Sequence, residues 1–187
     1  MAIPDKAELS ALLARYERPL VRYAQSITGD VESARDVVQE TFIKLARGEM
    51  KGEGSEGQPE AERNRHLESW LFTVTRHRAL DHQRKFSRII AMPIPEDRPA
   101  AEPGPAAVLE QQESATSLFQ MLDALSPNQR EVIRLKFQND LSYREIANIT
   151  QLSVTNVGFL IHTGLKKLRE LLRERSPEDF GLSRSVL

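Results

Sequence analysis

Three times along this chain a capping residue is followed three positions later by Glu or Gln and then by apolar residues at helical spacing: Asp5 with Glu8, Ser126 with Gln129, and Ser142 with Glu145. In such a pair the first side chain accepts a hydrogen bond from the third helical N–H, and the longer side chain accepts from the cap's own N–H. Two donors that every helix start leaves without partners are satisfied together. Behind Asp5, the residues Leu9, Leu12, Leu13, Tyr16, Leu20 and Val21 recur at helical spacing up to Gly29, a natural stop. Asp30 caps a second helix that turns Ala34, Val37, Val38, Phe42 and Leu45 inward and ends at Gly48. Aromatics make up only 6% of the chain, so Leu, Ile, Val and Ala must fill the cores. An all-α fold is expected.

Residues 48–66, GEMKGEGSEGQPEAERNRH, hold four of the nine glycines and no apolar periodicity, and read as a loop. Helix returns at Leu67, Trp70, Leu71 and Val74, which face a core, and runs to about Lys85. Between residues 91 and 105 stand five of the ten prolines, and proline removes backbone donors and blocks helix, so this stretch reads as an extended linker. Two small helical domains follow, residues 1–90 and 107–175, joined by a linker over 91–106. In the second, a helix over about 107–125 precedes one opened by Ser126-Pro127, with Pro at the first helical position. Asn139-Asp140 breaks it, a short helix ends near Thr150, and a long one runs from Val154 to about Arg173.

Net charge is −1, which by itself speaks against nucleic acid, but the charge is segregated. Arg76, Arg78, Arg84, Lys85 and Arg88 face the single acid Asp81 between positions 76 and 88, whereas Arg98 is alone among Glu96, Asp97, Glu102, Glu110, Glu113 and Asp123 further on. A neutral chain can carry a basic face. The chain has no cysteine, which removes disulfides, thiolate metal sites and cysteine nucleophiles. No apolar run approaches the ~20 residues of a membrane span, and MAIPDKAELS lacks a basic-then-apolar leader pattern, so a cytoplasmic protein without membrane insertion is expected. The four histidines show no metal-ligand spacing, Asp81 and His82 are adjacent and point apart on a helix, and no Gly-rich phosphate loop follows a strand. Neither an enzyme nor a bound metal or cofactor is expected.

The most specific local pattern is SYREIANITQLSVTNVGFLIHTGLKKL: a short helix, a three-residue turn and a longer helix, as a DNA-binding helix-turn-helix requires. Ala147 is small where the helices must cross, while Ile146, Leu152, Val157, Leu160, Ile161 and Leu168 supply a core. Thr155, Asn156, Phe159, His162, Thr163 and Lys166 are left on the outer face of the second helix. A plain helical hairpin is the alternative, and Gln151 stands where such turns usually place Gly. A second pattern, WLFTVTRHRALDHQRK, projects Arg76, His77, Arg84 and Lys85, either as a solvated basic face or as a second DNA surface. A third, ARDVVQETFIKLAR, puts Asp36, Gln39 and Glu40 on one helix face at i, i+3 and i+4, which alone is an ordinary solvated face.

Taken in order, LVRYAQSITGDVESARDVVQETFIKLAR, WLFTVTRHRALDHQRK and LDALSPNQREVIRLKFQNDLSYREIANITQLSVTNV resemble the three conserved blocks of extracytoplasmic-function sigma factors, over roughly residues 9–173. The resemblance implies a subunit that binds core RNA polymerase, recognises promoter DNA and directs transcription initiation. It implies that Asp36, Gln39 and Glu40 dock on the clamp helices of the polymerase largest subunit, and that Arg76, His77, Asp81, Arg84 and Lys85 lie on the helix that handles the downstream promoter element. It implies that the helix-turn-helix reads the upstream element, and an anti-sigma antagonist is typical of the family. The chain departs from the family pattern at His77, usually Asn, and at Gly158, Leu160, Thr163 and Leu165, where family members commonly carry Lys or Arg. The loop before Trp70 is longer and richer in Gly and Glu. Two other functions stay open at this point: a helix-turn-helix regulator that never joins polymerase, and a nucleic-acid hydrolase.

Overall fold

A computed structural model describes residues 4–50, 59–91 and 121–174, and all the regular structure among them is helical. By their contacts the residues fall into two compact units, one of Met1–Pro95 with Arg144–Gln151 and the other of Glu96–Tyr143 with Leu152–Leu187. The prolines at 93–105, the centre of the expected linker, and the stretch 51–58 of the expected loop lie outside the described residues.

The first unit is built on three helices, α1 (Lys6–Thr28), α2 (Val31–Ala46) and α3 (Glu60–Ala91), each packed against the other two. The capping box expected at Asp5 is formed: its carboxylate accepts from the Glu8 N–H at 2.8 Å, and the Glu8 carboxylate accepts from the Asp5 N–H at 3.1 Å. Gly29 ends α1 in the left-handed region at φ 83°, donating its N–H to the Gln25 carbonyl at 2.9 Å. Pro19 sits inside α1, where it removes one backbone donor. The helix continues through it because the flanking residues Tyr16, Leu20, Tyr23 and Ala24 are all buried.

Helix α3 departs from the sequence expectation at both ends. Residues 60–66, expected as loop, already form its first two turns, and it runs on to Ala91 rather than ending near Lys85. The physical reason at the start is local. Pro59 offers its carbonyl to the N–H groups of Glu62 and Arg63 at 3.0 and 3.1 Å, and Glu60 and Glu62 place negative charge beside the positive end of the helix dipole.

The core of this unit lies where α3 meets the other two helices. Phe72, Leu71 and Thr75 are almost fully enclosed, with Phe72 tilted against Tyr23 of α1 at 5.4 Å between ring centroids. Trp70 and Val74, expected to face the core, are only half-buried. Between α2 and α3 two enclosed hydroxyls meet, Thr41 and Thr75, 3.3 Å apart, and Thr41 also donates to the Val37 carbonyl at 2.9 Å. Burial and the nearby Glu68 carboxylate raise the Tyr16 phenol above its ordinary value, partly offset by Arg15.

In the second unit, α4 (Pro127–Gln138) and α6 (Val154–Glu174) pack together. Ser126 caps α4 with the expected box, accepting from the Gln129 N–H at 3.3 Å while the Gln129 side chain accepts from the Ser126 N–H at 3.1 Å. Arg130 fastens the preceding turn, donating to the Asp123 carbonyl at 3.0 Å and pairing with its carboxylate at 2.8 Å. After α4 the chain turns through Asp140 at φ 50°, and Lys136 bridges the turn by donating to the Leu141 carbonyl at 3.2 Å. The next helix in the chain, α5 (Tyr143–Thr150), falls with the first unit from Arg144 on and buries Ile146, Ala147, Ile149 and Thr150.

The start of α2 generates a prediction. Asp30 accepts from the N–H groups of Glu32 and Ser33 at 3.0 and 2.9 Å. Bonds from the Ser33 side chain, then the Ser33 and Glu32 backbones, with a small contribution from His82, hold its carboxyl below the usual carboxylate range. A carboxyl held low in the folded state stabilises it above the unfolded pKa, near 4, and the benefit is lost as pH falls through the folded value. Replacing Asp30 with Ala is therefore expected to cost about 1 kcal/mol at pH 7. Urea unfolding at pH 7 and again below pH 4 checks this, the two proteins converging at the lower pH.

Candidate nucleic-acid and partner interfaces

Alternation of buried and exposed positions on α2 leaves one polar face free. Ala34, Val37, Val38, Thr41, Phe42 and Leu45 are turned inward, so Asp36, Gln39 and Glu40 are exposed together on the opposite side. Glu40 pairs with Arg78 of α3 at 3.5 Å, which couples this face to the next helix. At the following turn Ile43 is 47% exposed, an apolar residue at i+7 from Asp36 amid charged neighbours. Sequence reasoning passed over it, although the spacing itself puts it on the polar face.

On α3 the basic segment divides. His77, Asp81, Arg84 and Lys85 fall at i, i+4, i+7 and i+8 and are exposed along one stripe, with Arg84 and Asp81 paired at 3.6 Å. Arg76 lies at its margin, half-buried, as does Arg78. Phe86 follows the stripe at 57% exposure, a large apolar ring among cations that was not singled out from the sequence.

The turn between α5 and α6 is tight. Gln151 takes the left-handed conformation at φ 61°, where its side-chain amide donates to the Asn148 carbonyl at 2.7 Å and offsets part of the cost of a non-Gly residue there. Ser153 then caps α6, accepting from the Asn156 N–H at 3.1 Å. On α6, Thr155, Phe159, His162 and Lys166 form one open stripe with Asn156 beside it, and Phe159 is 63% exposed. Val157 and Ile161 are buried, while Leu160 and Leu165 are half-buried.

Thr163 requires a correction. Expected on the outer face, it lies half-buried on the side of α6 turned to α4. Its hydroxyl donates to the Phe159 carbonyl at 2.8 Å and accepts from the Gln129 side-chain amide at 3.1 Å. Gln129 thus serves twice, as capping residue and as clamp. Lys167 is likewise engaged, its ammonium donating to the Ala124 carbonyl, which leaves Lys166 as the open cation at this point of the helix. Among the described residues no group of three or more His, Asp or Glu is placed to hold a metal ion, and no helix is long and apolar enough to cross a membrane.

The family model for Sigma-70 region 2 matches residues 12–89, the span of α1 to α3, and that for Sigma-70, region 4 matches residues 116–168, the span of α4 to α6. Together they define a two-part protein of the sigma-70 class. Among curated relatives, the ECF RNA polymerase sigma factor SigE of Mycolicibacterium smegmatis is 30% identical over 89% of this chain, which spans 62% of that protein's length. The ECF RNA polymerase sigma factor EcfG of Rhodopseudomonas palustris is 30% identical over 85% of this chain and 82% of its own. The chain belongs to the extracytoplasmic-function (ECF) sigma factors. Its fold is shared with the sigma factor RpoE solved in complex with the anti-sigma factor NepR from Bartonella quintana, with a TM-score of 0.61 over 88% of this chain and 96% of that one at 24% identity.

The seat of α6 on α4 is narrow at Gly164, where an added Cβ would stand 2.7 Å from the Ile133 terminal methyl. Gly164→Ala gains about 1 kcal/mol of helix propensity and needs only that methyl to move, so near-neutral stability is expected. Gly164→Val adds two further carbons to a filled space and is expected to cost about 1–3 kcal/mol. Thermal unfolding of the two variants measures the difference.

Proposed function

We propose that this chain binds core RNA polymerase and directs it to promoter DNA, acting by recognition without catalysing a reaction of its own, in the cytoplasm. The observation that carries this is the order of the two matches: a region 2 over residues 12–89 followed by a region 4 over residues 116–168. In this proposal residues 1–90 dock on polymerase and hold the downstream element, residues 91–106 link, and residues 107–175 read the upstream element in the major groove.

Asp36, Gln39 and Glu40 form the docking face for the clamp helices of the largest subunit, with Ile43 as its apolar anchor. Arg76, His77, Arg84 and Lys85 handle the downstream element. On α6, Thr155, Asn156, Phe159 and His162 approach base edges, Lys166 reaches a phosphate, and Thr163 acts from behind by fixing the helix through Gln129. The NepR complex of the Bartonella quintana protein supports an anti-sigma partner for this chain as well.

Docking and reading are tested separately. Changing Gln39 and Glu40 together to Ala is expected to lower affinity for core polymerase at least tenfold, since a hydrogen bond to a charged group contributes about 1.5–3 kcal/mol. A titration with core enzyme decides, and unchanged affinity would leave a DNA-binding regulator that acts without polymerase.

On the reading side, Lys166→Ala is expected to weaken all promoters alike and reduce the salt slope by about 0.9. Phe159→Ala, by removing a ring able to touch a thymine methyl, is expected to change the ranking of upstream-element variants by about 1–3 kcal/mol at one position. Holoenzyme binding across single-base variants separates the two, and uniform losses from both substitutions would sink the assignment of Phe159.

A further inference from the structure

Helix α1 carries a charged feature that neither the docking face nor the DNA-facing helices use. Its buried side is Tyr16, Leu20, Tyr23 and Ala24, and on the other side Arg15, Arg18 and Arg22 fall at i, i+3 and i+7. All three are exposed, and among the described residues none of them forms an ion pair. The acids of α1 do not neutralise them: Glu8 is occupied in the capping box two turns away, and Glu17 points from a different side of the helix. Arg15 is held with its guanidinium over the Tyr16 ring, 5.1 Å from the centroid. Three exposed guanidinium groups in a row, of which Arg15 shares the neighbourhood of Tyr16 with the Glu68 carboxylate, present positive charge to an anion.

Its dimensions fit a phosphate backbone. At 1.5 Å of rise per residue the row is about 10 Å long, and one strand of a duplex presents a phosphate about every 3.4 Å along its axis. Arginine suits the task because its planar fork meets two phosphate oxygens at once. Tyr16 lies near Glu68 and Tyr23 meets Phe72, so α1 and α3 run in the same direction, and the row is level with the turns of α3 that lead up to Phe72, ahead of the basic segment that begins at Arg76.

We propose that Arg15, Arg18 and Arg22 form a phosphate track that extends the nucleic-acid surface of the first unit onto α1. The inference rests on the promoter-binding function proposed above. The track is indifferent to sequence and adds affinity to every promoter equally. Its anion is a DNA phosphate, in duplex or in single-stranded form.

The test uses the full chain, a 20-base-pair duplex of mixed sequence and a 20-nucleotide oligothymidine, with binding followed by fluorescence anisotropy as salt is raised. Replacing all three arginines with Ala is expected to lower the slope of log affinity against log salt by about 0.9 per lost contact on the duplex, or about 0.7 on the single strand if that is what the track holds. The Lys triple variant, which keeps the charge, is expected to retain most of the slope. Alanine favours helix, so circular dichroism should be unchanged, and the single variants Arg18→Ala and Arg22→Ala give the same answer one contact at a time. Slopes equal to wild type on both probes overturn the proposal, as does a loss of core-polymerase affinity with the slopes unchanged, which would make the row a protein-facing surface. Core affinity read in parallel separates two failures, because a wild-type chain that does not bind core overturns the function on which the track rests.

Discussion

Helix α3 is longer than the helices it packs against, and the first unit is organised by that mismatch. At 1.5 Å per residue its 32 residues extend about 48 Å, against about 35 Å for the 23 residues of α1 and about 24 Å for the 16 of α2. Leu67, Leu71, Phe72, Thr75 and Ala79 use the middle of α3 to close the core. The turns beyond Ala79 have less to bury, and Asp81, Gln83, Arg84, Lys85 and Phe86 are exposed in succession. The same helix therefore serves as core element and as presented surface, and the rigidity of its packed part is transmitted along an unbroken backbone to the part that faces outward.

The second unit reaches a similar end by close approach. Gly164 lets α6 come down on Ile133, and the Gln129–Thr163 bond fixes its rotation about its own axis. Rotation is what decides which residues face a groove: with Thr163 turned to the α4 side, the open stripe is left to Thr155, Phe159, His162 and Lys166. A stripe with one lysine and a phenylalanine offers shape and apolar contact more than charge.

Sequence and structure agree wherever the signal is local. The caps at Asp5, Asp30 and Ser126, and the stops at Gly29 and near Gly48, could be read from residue type because each acts on its own turn of backbone. Agreement fails where the deciding interaction is distant or cooperative. Glu60–His66 look like loop because they show no apolar period, yet they are helical as the exposed extension of an already nucleated helix. Trp70 was the obvious core residue by size, but the inward direction belongs to Leu71, Phe72 and Thr75. Thr163 was misplaced because its partner, Gln129, is 34 residues away. The α2 face was legible as a face, while its apolar member Ile43 was hidden by the habit of counting apolar residues as core.

The two threonines enclosed between α2 and α3 carry an asymmetry that their identical chemistry conceals. A hydroxyl has one proton to give. Thr41 commits its proton to the Val37 carbonyl, so in the contact with Thr75 it can only receive, and the direction of the bond across the seam is fixed. Thr75 is the donor that depends on a partner from the other helix, and Thr41 is the acceptor whose own needs are met within its turn. The seam between the two helices is thus polarised by a single hydrogen atom. An isosteric methyl in place of the Thr75 hydroxyl leaves no proton stranded, whereas the same exchange at Thr41 strands the proton of Thr75 in a space closed to water.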